Sequence, residues 1–172
     1  MGRPLMNLAC TRAGHRLAGT AALIAAAVLA VVPAHPAAAQ DPFRIETSAG
    51  GCLEIADAST RNDAPLQQYR CLGTDNQLFT TQDAGDGFVR IKTFAGKCLE
   101  VLDSDPPFDD SIVQGDCDTR YTFQEFGIHD LGDGTVGIEA HNLLFWGVEE
   151  GHPGLLAPVV LTSHAQEFTL VN

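Results

Sequence analysis

The sequence predicts an all-β domain built from three copies of one repeat, and three observations predict it. Ile45-Glu-Thr-Ser-Ala-Gly-Gly-Cys52-Leu-Glu-Ile55 returns 46 residues later as Ile91-Lys-Thr-Phe-Ala-Gly-Lys-Cys98-Leu-Glu-Val101. A third copy, Ile138-Glu-Ala-His-Asn-Leu-Leu-Phe145-Trp-Gly-Val148, follows after another 47 and lacks the cysteine. Each copy closes on Gln-x-Phe, at Gln77-Leu-Phe79, Gln124-Glu-Phe126 and Gln166-Glu-Phe168. A fixed period of this kind marks a repeat architecture, and nothing after residue 39 keeps a helical period beyond two turns.

The first forty residues stand apart from the repeats. Arg3, Arg12 and Arg16 precede an apolar run from Ala21 to Val32, followed by Pro33, Pro36 and Ala37-Ala38-Ala39. Basic, then apolar, then small is the order of a secretory signal peptide. The run of 12 residues falls short of the ~20 that span a bilayer. Residues 1–39 are therefore expected to be a signal peptide, with cleavage after Ala39, and residues 40–172 a single secreted domain. Its 133 residues are enough to bury one core.

All 22 acidic residues lie in that domain, against seven basic ones, giving it a formal charge of −15. Such a surface disfavours nucleic acid and anionic membranes as partners. It leaves a neutral ligand, a cation or a basic protein, and it also serves simply to keep an exported protein in solution.

Four cysteines remain after the leader, Cys52, Cys71, Cys98 and Cys117, and the count alone allows three pairings. Because both cysteines recur inside one unit with the same spacing, local pairing is the economical choice: Cys52 with Cys71 and Cys98 with Cys117. No C-x₂-C pair occurs to favour a zinc site. Within a unit, Phe88-Val-Arg-Ile-Lys alternates as a strand, Ala49-Gly-Gly and Ala95-Gly-Lys are turns, and Asp83-Ala-Gly-Asp-Gly and Leu131-Gly-Asp-Gly read as hairpin tips. Four short strands per unit, three times over, would close as a threefold barrel with a cap, which removes most exposed sheet edges.

With these residues in place, the chain resembles the ricin B-type lectin family, whose fold is the β-trefoil and which is also classed as a family 13 carbohydrate-binding module. The resemblance runs from Phe43 to Val171. It rests on Gly-x-Cys-Leu-Glu-Ile/Val at Gly50 and Gly96, on Cys71 and Cys117, and on the three Gln-x-Phe signatures, with Phe where the family usually has Trp. It implies a sugar site in each repeat: an acid just after the first cysteine, an aromatic on the strand leading to the second, and an Asn-Gln pair before the barrel aromatic. The first repeat supplies Glu54, Gln67, Tyr69, Asn76 and Gln77. A pyranose has a C–H-rich face that stacks on an aromatic ring, and hydroxyls that need acceptors and amides. Tyr69 would be the platform, Glu54 the acceptor, with Asn76 and Gln77 bridging the rest.

Glu54 departs from the family's usual Asp, and the competing reading makes it an exposed strand residue. The second repeat keeps Glu100 and Gln124 but has Gly115 for the aromatic and Phe123 for the Asn, so weak or no binding is expected there. The third has Gly147 for the acid, Thr162 for the aromatic and Ala165 for the Asn. Trp146, at the position of the core Leu, is expected to be packing. Asp103-Ser-Asp105-Pro-Pro-Phe-Asp109-Asp110 gathers carboxylates without calcium-loop spacing, and reads as a solvated acidic turn. No Gly-x-Ser-x-Gly elbow, no His-Glu-x-x-His pair and no marked carboxylate pair point to an enzyme. The expected function is non-catalytic binding of a neutral glycan, mainly by the first repeat, with no cofactor and no metal. The alternative is a scaffold for protein recognition with degenerate sugar sites.

Overall fold

A computed structural model describes residues 41–102, 111–149 and 156–172, all within one unit, Ala38–Asn172. The predicted signal peptide and the acidic segment 103–110 lie outside the described residues. Twelve strands and no α-helix occur among those described: β1 (Arg44–Thr47), β2 (Cys52–Ile55), β3 (Ala64–Tyr69), β4 (Phe79–Gly85), β5 (Phe88–Thr93), β6 (Cys98–Val101), β7 (Ile112–Gly115), β8 (Phe126–Gly132), β9 (Thr135–Ala140), β10 (Phe145–Val148), β11 (Ala157–Thr162) and β12 (Phe168–Val171).

Six of them close a ring. β1 pairs with β12, β12 with β9, β9 with β8, β8 with β5 and β5 with β4. The ring is completed by Phe43 and Phe79, which exchange backbone hydrogen bonds of 2.9 Å in both directions. The other six form three hairpins, β2–β3, β6–β7 and β10–β11. β3 joins both other hairpins, through β7 and β11, and a bridge from Ser111 to Val160 links the remaining pair. This is the barrel with a triangular cap that defines a β-trefoil.

The threefold repeat of the sequence is a threefold layering of the core. Phe79, Phe126 and Phe168 are all but fully buried, as are Ile45, Ile91 and Ile138, and Leu53, Leu99 and Trp146. Removing one such side chain from water is worth about 2 kcal/mol, so the aromatic of Gln-x-Phe is a barrel residue. Trp146 packs edge-on against Phe126, with ring centroids 4.9 Å apart, as its place in the Leu series predicts.

The hairpin tips follow from local chemistry. Asp86-Gly87 and Asp133-Gly134 all take positive φ, 52° and 87° in the first and 52° and 82° in the second. Two successive left-handed residues make the turn whose twist matches the flanking strands. Asp83 and Asp130 brace the tips by accepting from the N–H of Gly85 and Gly132. Both local disulfides are present, Cys52–Cys71 and Cys98–Cys117, each spanning 19 residues. Closing a loop of that length contributes about 3 kcal/mol in the chain-entropy model.

Candidate functional site

The first-repeat residues converge at the open end of the β2–β3 hairpin. Alternation along a strand sends Leu66 and Gln68 inward and Gln67 and Tyr69 outward. The register sets Glu54 opposite Gln67 and Cys52 opposite Tyr69. Gln67 Nε2 donates to Glu54 Oε1 at 3.1 Å, and Gln77 Nε2 donates to Glu54 Oε2 at 3.0 Å. Two amides thus fix both oxygens of one carboxylate, in a charge-assisted arrangement.

Glu54 is 6% exposed, which overturns its reading as an exposed strand residue. The short turn Asp75–Gln77 packs over β2 and covers it. Gln77 is itself fully buried: besides Glu54 it donates to the carbonyl of Arg70 at 2.7 Å, and its Oε1 accepts the N–H of Leu72 and Gly73. It holds the loop and the acid together from beneath. Asn76, also buried, donates to the carbonyl of Ile55 at 3.0 Å. Tyr69 is half-buried, with the Arg70 guanidinium carbon 5.7 Å from its ring centroid. Of the five residues, Tyr69 and Gln67 therefore present the more accessible side chains.

The second repeat repeats the scaffold without the platform. Gln124 Nε2 donates to Glu100 Oε2 at 2.6 Å and to the carbonyl of Asp116, and its Oε1 accepts the N–H of Asp118. Gly115 pairs with Cys98 as Tyr69 does with Cys52. Glu100 has moved into the vacated space, since a Cβ on Gly115 would fall 2.2 Å from Glu100 Oε1. Arg120 grips Asp118 with contacts of 2.5 to 3.1 Å, and hydrogen bonds to that guanidinium hold the Asp118 carboxyl at about 2, below its ordinary 3.8.

In the third repeat Gly147 pairs with Val160 and Phe145 with Thr162, which puts Gly147 at the acid's position. With no carboxylate to meet, Gln166 bonds the backbone of Val148 in both directions, at 3.0 and 3.3 Å. A side chain at 147 would crowd Thr162, whose Cγ2 lies 2.7 Å from the Cβ position.

Sequence reasoning missed two features. Thr47 donates to Gln68 at 2.7 Å and Thr93 to Gln114 at 2.9 Å, all four buried, and Gln114 also reaches the carbonyls of Ser59 and Arg61. Both pairs obey the 46-residue shift, which was the available signal. The other is the stacking of two exposed rings, Tyr121 on Phe123; the sequence marked Phe123 as the replacement of the Asn and carries one extra residue between Cys117 and Gln124 compared with Cys71 and Gln77.

A protein-family model described as ricin-type beta-trefoil lectin domain-like matches residues 39–114. Over those residues the chain is similar to ricin-type β-trefoil lectin domains. The match takes in the whole first-repeat set and the Cys98-Leu-Glu copy of the second. No curated protein matches the chain in sequence. Among solved structures the chain resembles a designed threefold-symmetric protein, ThreeFoil, at 26% identity and a TM-score of 0.70, covering 76% of this chain and 98% of that one. It resembles an exo-β-1,3-galactanase from Clostridium thermocellum at 21% identity and a TM-score of 0.70, covering 79% of this chain and 30% of that one. The C-half of an earthworm R-type lectin, solved with GalNAc, is similar at 12% identity and a TM-score of 0.59, covering 77% of this chain and 98% of that one. The last two likenesses are of fold.

Proposed function

We propose that this protein is a secreted, non-catalytic lectin that holds a neutral glycan mainly through its first repeat. The observation that carries the reading is the doubly held carboxylate of Glu54 beside the half-buried ring of Tyr69. An ionised carboxylate has about four acceptor positions, and the two amides use two of them. Tyr69 supplies the stacking face, Glu54 and Gln67 meet hydroxyls, and Gln77 acts through Glu54 by orienting it. The lectin-type family match and the GalNAc bound by the earthworm lectin support a sugar as ligand. Two disulfides fit an oxidising compartment, and residues 1–39 serve as the signal peptide. The secreted protein should begin at Gln40, as N-terminal sequencing would read. A glycan array spanning galactose, xylose and mannose oligomers tests the ligand class: binding to a neutral glycan that disappears in Tyr69→Ala supports the reading, and a blank array at millimolar sugar sinks it.

One observation favours the second reading. Glu54 is 6% exposed and both its oxygens already hold protein amides, as suits an acid kept for structure in a scaffold that recognises protein. A basic partner captured at low salt and released at high salt, with no retention on polysaccharide resin, would decide for it.

A further inference from the structure

Where one repeat meets the next, equivalent positions come together on the barrel. Thr80 pairs with Lys92, Gly127 with Glu139 and Thr169 with Glu46. Two residues beyond Lys92, Glu139 and Glu46 stand Phe94, His141 and Ser48. At two of these places the chain satisfies itself. Glu139 Oε2 lies 2.6 Å from His129 Nε2, and Phe88 lays its ring on His141, with centroids 5.2 Å apart and planes 11° from parallel. Glu46 accepts from Arg44 at 3.4 Å, and Ser48 has no ring to cover.

The place between the first and second repeats is left open. Lys92 forms no ion pair among the described residues. Phe94, 37% exposed, has no ring stacked on it among them. Pro42 takes the position of Phe88, 46 residues on, and brings no aromatic ring. A cavity of about 230 Å³ results, lined by Pro42, Asp75, Leu78, Thr80, Lys92 and Phe94. It lies against the turn Asp75–Gln77 yet uses none of Glu54, Gln67, Tyr69, Asn76 and Gln77. Sites for drug-sized ligands begin at roughly 300 Å³, so this one suits a smaller molecule.

The walls select the occupant. Asp75 and Lys92 share the cavity without pairing with each other. Opposite charges that do not neutralise one another are matched by a ligand that carries both signs. A neutral sugar would leave both unmatched, and a simple anion would meet the Asp75 carboxylate. Phe94 offers a ring face where the equivalent His141 is covered by Phe88, and a ligand ring would lie there in the same way. We propose that this cavity binds a free aromatic α-amino acid. Its carboxylate meets Lys92, its ammonium meets Asp75 and its ring lies against Phe94. The site is separate from the glycan reading and does not rest on it.

Amide NMR of the isotope-labelled protein, titrated with L-phenylalanine to about 10 mM, covers the range of weak single-site binding. The resonances of Asp75, Thr80 and Phe94 are expected to shift saturably. Phenylpropionate, which lacks the ammonium, and phenethylamine, which lacks the carboxylate, should each bind about tenfold more weakly, the loss expected for one charge-assisted hydrogen bond. Lys92→Met should weaken phenylalanine by the same factor and leave phenethylamine unchanged. Resonances that stay still with phenylalanine overturn the proposal. So does phenylpropionate or galactose binding there as tightly as phenylalanine, or native phenylalanine affinity in Lys92→Met.

Discussion

Gln77 and Glu54, 23 residues apart in sequence, meet at 3.0 Å, with the amide donating to the buried carboxylate. Gln124 and Glu100 repeat the pair at 2.6 Å, and in the third repeat the same glutamine bonds, among the described residues, the backbone of Val148. The Gln of Gln-x-Phe is therefore a tie between the loop after the second cysteine and the strand after the first.

Cutting that tie has unequal costs. Gln77→Ala strips one donor from a buried carboxylate and leaves the Arg70 carbonyl and the Leu72 and Gly73 N–H groups without it, which should cost about 3 kcal/mol. Gln166→Ala loses only neutral backbone bonds and should cost about 1 kcal/mol. Urea unfolding of the two variants measures the difference; equal losses would contradict the assigned roles.

Leu143 occupies the position that Gly50 and Gly96 hold in the other repeats, with φ of 68° against their 81° and 73°. It is also 74% exposed, so its side chain gains little from burial. A left-handed conformation costs a side-chain-bearing residue about 1 kcal/mol or more. Leu143→Gly should accordingly raise the thermal midpoint, and a fall would show that Leu143 makes contacts outweighing that strain.

The Arg120–Asp118 pair makes a small, acid-sensitive contribution at the surface. Hydrogen bonds from Arg120 hold the folded-state carboxyl at about 2 instead of 3.8. A lowered folded value means the pair stabilises the fold above pH 3.8 and loses that contribution as pH falls from 3.8 toward 2. In Arg120→Ala the Asp118 titration, followed by carboxyl carbon NMR, should move up toward 3.8. A midpoint that stays near 2 would assign the shift to another donor.

The fold was legible because its symmetry is written in apolar residues and turns. Ile45, Ile91 and Ile138, the three barrel phenylalanines, the Asp-Gly tips and the cysteine spacing each report a backbone position through side-chain type alone. The site was legible only as a set of residues, and its burial was not. Alternation along Cys52-Leu-Glu-Ile55 points Glu54 away from the barrel core, and it takes the turn Asp75–Gln77, folding back from more than twenty residues on, to cover it. Thr47 with Gln68 and Thr93 with Gln114 escaped for a related reason, since polar side chains that satisfy one another in the interior look like surface until their partner is known. Tyr121 and Phe123 sit where one inserted residue breaks the alignment of the repeats.

Titration of the native protein and Tyr69→Ala with neutral oligosaccharide tests the central claim most directly. One shallow site should bind with a Kd of roughly 10⁻⁴ to 10⁻³ M, or about −5 to −4 kcal/mol, and Tyr69→Ala should abolish the first-repeat component with the fold intact by circular dichroism. Native affinity retained in Tyr69→Ala, or no binding by either protein at millimolar sugar, would contradict a lectin that works through its first repeat.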